Sequence, residues 1–332
     1  MAYPLAPQGS TLGTSAYPLT VGIPNTLAAT GFIPEIWSGK LVEKFYASTV
    51  LAAISNTDYA GEIKNQGDKV KIRTKPTISI SDYAADQTLT LQRPSGNVID
   101  LLIDKGKYFN TILDDVMDVQ SDLNLLSMWS DDAAEQMKIT IDTAVLLAMK
   151  DQAATPDNRG AAAGKISHII NLGVTGTPLS VVARSPTTGK VEIVDAILRL
   201  GQTLDEQNIP ETGRWVVLPT WAATLIKMSE LREAYLSGDS TSMLRNGRIG
   251  MVDRFTLYTS NLLPSGTANG LAAGEYLMYA GHAHGLTFAS QMTKMETMRS
   301  EQTFGTIMRG LQVFGHKVVD NTAIAQAVIF PG

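Results

Sequence analysis

Three groups of residues have the types and spacing that chemistry could use. Lys69, Lys71, Arg73 and Lys75 alternate with Val70, Ile72 and Thr74, and on a strand that spacing puts four cations in one row. Such a row is a solvated strand face, a contact for an acidic patch on a neighbouring subunit, or a strip that grips phosphates. Asp114, Asp115, Asp118 and Asp122 form an acidic cluster and are the candidate partner for the second of these. Partly exposed ion pairs contribute about 0 to 1 kcal/mol each, so such a contact would set orientation more than strength. The third group is His282 and His284. Two imidazoles two apart on a strand face one side and, with Glu275, could ligate a metal. The competing reading is a glycine-flanked loop, Gly281 to Gly285, whose imidazoles satisfy backbone groups or meet a neighbouring chain.

Other chemistries fail on spacing. The chain has no cysteine, which removes disulfides, thiolate nucleophiles and zinc-thiolate sites together. No Gly-x-Ser-x-Gly elbow appears, and Gly39-Lys40, Gly164-Lys165 and Gly189-Lys190 lack the rest of a phosphate-binding loop. Asp114/Asp115 and Asp131/Asp132 are adjacent on helical stretches, where neighbours do not face each other, so they suit capping and solvation better than acid/base work. The expectation is therefore no catalytic residue, no metal ligand set and no cofactor.

Periodicity supplies the elements that would position these groups. Residues 1–31 are rich in Gly, Pro, Ser, Thr and Ala and are expected to form an arm. A short helix is expected within 32–60, from Pro34 to Ile54 on Ile36, Trp37, Leu41, Phe45, Val50 and Leu51. Over 61–109 the period becomes two: Val70, Ile72, Ile78 and Ile80 on one arm, and Leu89, Leu91 and Val98 to Ile103 on the other, predict a long hairpin turning at Asp82 to Gln87. A lone hairpin is marginal in water, so it needs support from elsewhere, another subunit included. Ser121 to Asp151 predicts one helix of about 31 residues, roughly 45 Å long, with Leu126, Trp129, Ala133, Met137, Ile141, Ala144 and Ala148 on one stripe. The acidic cluster sits where that helix's dipole favours negative charge. An Ala/Gly-rich break at 153–164 marks a boundary. Beyond it come strand signals at Ile166 to Leu172, Trp215 to Leu218, Met251 to Tyr258, Tyr276 to Tyr279, Thr306 to Phe314 and Ala323 to Phe330. Helices are expected over Val191 to Gln207 and Thr220 to Tyr235.

At 332 residues the chain can bury a core, and Lys+Arg 27 against Asp+Glu 32 gives a net charge of −5, unlike a cationic nucleic-acid binder. Charged residues are 18% of the chain, below the roughly 25% of an average soluble domain, which fits burial between subunits. The first ten residues lack the basic start and apolar run of a signal peptide, and no apolar run approaches the roughly 20 residues of a membrane span, so a soluble intracellular protein is expected.

In this order of elements the chain resembles the major capsid proteins of tailed bacteriophages, the Hong Kong 97 type. The resemblance is carried by Phe32-Ile33-Pro34-Glu35-Ile36-Trp37, Leu41-Val42-Glu43-Lys44-Phe45, Gly67-Asp68-Lys69-Val70-Lys71-Ile72, Arg214-Trp215-Val216-Val217-Leu218-Pro219 and the tail from Lys294 to Phe330. It implies an α+β subunit with an N-terminal arm (1–31), a short helix (32–60) and an extended hairpin loop (61–109). A peripheral domain with a spine helix (110–153) and a mostly axial domain (154–284) would follow, before a return to the peripheral domain (285–332). It further implies hexamers and pentamers closing into an icosahedral shell around double-stranded DNA held by enclosure. Portal, scaffolding and decoration proteins would be partners, no membrane would be involved, and assembly would occur in the host cytoplasm. Lys69, Lys71, Arg73, Lys75, Asp114, Asp115, Asp118 and Asp122 become intersubunit contacts. A covalent lysine-asparagine crosslink is not established by these residues; Lys64, Lys69, Lys71 and Lys75 in the hairpin are merely possible donors. The alternatives are an encapsulin-like nanocompartment shell, which would hold enzyme cargo, and a metal-dependent hydrolase built on His282 and His284.

Overall fold

Alternating residues that are buried on both sides of a strand require a layer on each face, and Arg214 to Leu218 is such a strand. The computed structural model describes residues 46–58, 69–76, 78–121, 124–153, 155–184, 189–229 and 250–332, the side chains of 291–293 apart. All belong to one compact unit, Lys44–Gly332. The expected arm, most of the expected short helix, Lys64 and Asp122 lie outside the described residues. In chain order the elements are α1 (Leu51–Ile54), β1 (Lys69–Arg73), β2 (Val98–Leu102), β3 (Lys105–Asp114), α2 (Asp115–Gln120), α3 (Leu125–Gln152), β4 (Leu179–Val182) and β5 (Lys190–Glu192). There follow α4 (Ile193–Glu206), β6 (Arg214–Leu218), α5 (Thr220–Met228), β7 (Met251–Val252), β8 (Phe255–Thr259), β9 (Tyr276–His282), β10 (Leu286–Arg299), β11 (Gly305–Val318) and β12 (Ile324–Pro331).

Seven strands form a mixed sheet in the order β5-β4-β12-β9-β6-β8-β7. Val216, Leu218, Met278, Ala280, Ala325 and Ala327 on one face meet α4 and α5. Helix α4 suits this because Ile193, Ala196, Ile197, Leu200 and Leu204 recur at steps of one, three and four and make one buried stripe. Trp215, Val217, Leu277, Tyr279 and Val328 on the opposite face meet α1 and the C-terminal half of α3, through Ile141, Val145, Leu146 and Met149. Tyr279 Oη donates to the Leu146 carbonyl at 3.0 Å across this layer, and Asp142 accepts the Val50 N–H at 2.9 Å to cap α1. Asn158, fully buried, donates to the carbonyls of Asn321, Thr322 and Ile324 and accepts from Gln207. It ties the end of α4 to the start of β12.

A second sheet, β10-β11-β3, is antiparallel, with the long strands β10 and β11 as a ribbon and β3 alongside. The two-stranded pair β1-β2 lies over β11, burying Ile72, Leu101 and Ile103 with Ala289. Gly315 in β11 permits this crossing, since a Cβ there would collide with the Leu102 carbonyl. Gly310 does the same for the Phe109 ring.

Several expectations need revision. The 121–151 helix starts instead at Leu125, because Asn124 accepts the Ser127 N–H and caps it, while Ser121 is extended. Asp115 and Asp118 belong to α2, a separate short helix that Asp114 caps. The hairpin is laddered only at its base, between β1 and β2; the stretches around Ile78, Ile80, Leu89 and Leu91 carry strand-like alternation without strand pairing. The strand signal at Ile166 to Leu172 is a turn with one bridge, Ala163 to Ile170, and it leaves Ile166 and Ile169 exposed. Strands β3, β4, β5 and β10 were not signalled. Thr, Gly, Met and charged residues dilute the alternation of β3 and β10, and β4 and β5 are only four and three residues long.

Candidate interaction surfaces

Strand β1 places Ile72 inward, which forces Lys69, Lys71 and Arg73 outward; all three are exposed, as is Lys75 just beyond. Across the ladder Lys71 faces Asp100, while Lys69 and Arg73 face Leu102 and Val98. Among the described residues none of these four cations forms an ion pair.

Two acids of the cluster are committed nearer home. Asp114 accepts the Val116 N–H at 2.9 Å as the α2 cap. Asp115 receives both guanidinium nitrogens of Arg299 at 2.9 and 2.5 Å, tying α2 to the far end of β10. Asp118 is exposed on α2. Thus among the described residues no contact brings the cations and the acids together, and Arg299 is the partner that sequence reading missed. Only the sheet register, which sets Arg299 opposite Thr306 at the turn end of the ribbon, reveals it.

A third surface emerges only from burial. Between Ile78 and Val119 twelve large apolar side chains are exposed, among them Ile80 (92%), Leu91 (97%), Tyr108 (79%) and Val119 (85%). On β3 every residue of one face, Gly106, Tyr108, Asn110, Ile112 and Asp114, is exposed. Beside it on the same sheet face Glu296 lies between Lys294 and Arg309, bonded to both. Those hydrogen bonds hold its carboxyl below the usual range. So many large apolar side chains left exposed in one stretch of chain mark an interaction site.

The histidines are arranged differently from a ligand pair. His282 Nδ1 accepts the His284 N–H at 3.2 Å in a short 3-10 turn over Ala283–Gly285. Glu275 is buried and accepts the N–H groups of Gly176 and Ala272, both at 2.8 Å. Among the described residues no three His, Cys, Asp or Glu side chains gather as a metal site. No described helix is long and apolar enough to cross a membrane.

The buried ionisable groups serve packing. Arg214 bonds the carbonyls of Pro210 and Ile209 and pairs with Asp205 at 2.7 Å, which also holds Arg254. His316 sits beside Phe314, ring centroids 6.5 Å apart, with neither ring nitrogen partnered among the described residues. Burial, with help from Lys105 and Lys317 against Asp104, pushes its pKa down to about 4.

Comparison with known proteins places these surfaces in context. The profile of a family described as phage capsid protein matches residues 101–327. A structure from Mycobacterium phage Che8 is 26% identical, with TM-score 0.69, covering 90% of this chain and 97% of that one. The capsid of cyanophage P-SCSP1u shares the fold at 15% identity and TM-score 0.68, covering 91% and 94%. The mature capsid of bacteriophage PhiM1 does so at 16% and 0.62, covering 95% and 99%. No curated protein matches.

Proposed function

The chain belongs to the phage capsid protein family and has the Hong Kong 97-type fold, and from that premise we propose that its copies form hexamers and pentamers that close into an icosahedral shell around packaged double-stranded DNA. It is a major capsid protein, a structural component of the virion. The work it performs is closure and containment, which need complementary surfaces and many modest contacts instead of a catalyst. A net charge of −5 suits a container that encloses DNA without gripping its phosphates.

In this reading the hairpin over 61–109 is the extended loop, 110–153 with α3 is the peripheral domain, 154–284 is mostly the axial domain, and the tail from 285 returns. The pairing of β10 and β11 with β3 supports the return over 286–318, whereas β12 is a strand of the larger sheet. Lys69, Lys71, Arg73 and Lys75 meet acidic groups on adjacent copies, with Asp118 the least committed of the described acids of the cluster. Portal, scaffolding and decoration proteins complete the particle, and assembly takes place in the host cytoplasm.

The observation that carries the reading is the exposed apolar band between Ile78 and Val119, since an unassembled subunit would present it to water. Electron microscopy of the full chain, expressed alone and with its neighbouring genes, tests it. Closed shells or capsomers are expected; a protein that stays monomeric under all those conditions overturns it.

A further inference from the structure

The arms of the hairpin beyond its base are held by side chains where a ladder would be expected. Among the described residues no backbone hydrogen bond joins 78–83 to 88–96. Instead Gln92 donates from Nε2 to the Ser79 carbonyl at 2.8 Å and accepts the Ser79 N–H on Oε1 at 3.1 Å. One side-chain amide thus takes both bonds that a paired residue's backbone would take in an antiparallel ladder. Gln87 repeats the device at the tip, where its Oε1 accepts the Ala84 N–H at 3.0 Å and its own N–H bonds the Ala84 carbonyl at 3.2 Å. Asp86 supplies the left-handed turn residue there, at φ 66°.

Interposing a side chain spreads the arms beyond the roughly 4.8 Å of a ladder and leaves their other backbone groups without partners among the described residues. With Gln92 opposite Ser79, antiparallel arms place Ile80 opposite Leu91. Alternation then puts Ile78 and Leu89 on that same side and Ser79, Ser81, Thr88 and Thr90 on the other. The four apolar residues are 61%, 92%, 70% and 97% exposed. The result is an amphipathic ribbon fixed in shape but unsatisfied in both backbone and apolar face.

We propose that Gln92 is a positioning residue that holds the hairpin open and preformed, so that its unpaired backbone groups and apolar face are taken up by a second copy of this chain. The inference rests on the hairpin being an intersubunit element, and it adds the residue that prepares it. Preorganisation lowers the ordering cost of each contact, and a shell multiplies that saving over every copy.

The chain has no cysteine, which allows a clean test with the full-length protein. Shell assembly is followed by light scattering and electron microscopy, with thermal melting of the unassembled subunit alongside. Gln92→Ala and Gln92→Asn remove or shorten the clamp and are expected to raise the concentration needed for assembly by about tenfold while leaving melting unchanged. Gln92→Glu, which can accept from Ser79 but not donate to it, is expected to fall between them and the natural chain. An oxidised Ser79→Cys/Gln92→Cys pair, which draws the two arms closer than the amide holds them, is expected to impair assembly, and normal assembly of that pair overturns the open geometry. If the Gln92 variants assemble normally while deletion of 79–92 blocks assembly, the clamp is overturned and the hairpin reading survives. Normal assembly after that deletion overturns both. A lower melting temperature for Gln92→Ala also overturns the proposal, because it would show a residue serving its own fold.

Discussion

Strand β6 and the hairpin arms carry similar apolar residues in opposite circumstances. Trp215 to Leu218 are all buried, whereas Ile80 and Leu91 are almost wholly exposed. Strand β6 has β9 on one side, β8 on the other and helices above and below, all from its own chain. The arms have one glutamine amide between them. An apolar alternation therefore describes what a segment needs and is silent about which molecule supplies it. In a subunit built for a shell, need without supply marks the interface.

This contrast can be broken experimentally, beginning with the largest effect. Leu200→Ala leaves a cavity under α4 at the centre of the helix-covered face and is expected to cost about 3 to 5 kcal/mol in denaturant unfolding of the subunit. A loss below about 1 kcal/mol would mean that the two regions do not differ as described. His316 comes next. Its folded-state pKa lies below the ordinary 6.5, so the unfolded chain binds the extra proton and stability falls as pH drops from about 6.5 to about 4. The loss is roughly 3 kcal/mol, and His316→Phe should flatten that slope in unfolding curves collected across the range. An unchanged slope would remove His316 from the account.

The smaller effects belong to the exposed region. Ile80→Ser with Leu91→Ser is expected to change subunit stability by no more than about 0.5 kcal/mol yet sharply reduce shell yield. Should the pair destabilise the subunit as Leu200→Ala does, the arms are core after all. Reversing Lys71 and Arg73 to Glu should alter subunit stability least and hinder closure of the shell. Equal yield, counted on micrographs, would leave the row as a solvated face.

How far the sequence disclosed this arrangement depended on the range of the interactions. Helix α4 was legible because its stripe is local, and β6, β9 and β12 because each is a dense apolar run. The basic row was legible as a row, since Ile72 alone decides which way Lys71 points. What escaped depends on distant partners. Asp115 looked like a helix-start charge until the ribbon brought Arg299 to it. Gln92 and Asn158 gave no signal at all, because their roles depend on groups 13 and up to 166 residues away. The alternation around Ile80 was read as pairing within the hairpin, when it describes only one amphipathic face.

Strand β12 lies between β4 and β9, in the interior of the large sheet. A ribosome must have passed residue 331 before that centre can close, so everything translated earlier waits as half-built layers. A chain lacking β12 would leave β4 and β5 without a neighbour joining them to β9 and the rest of the large sheet.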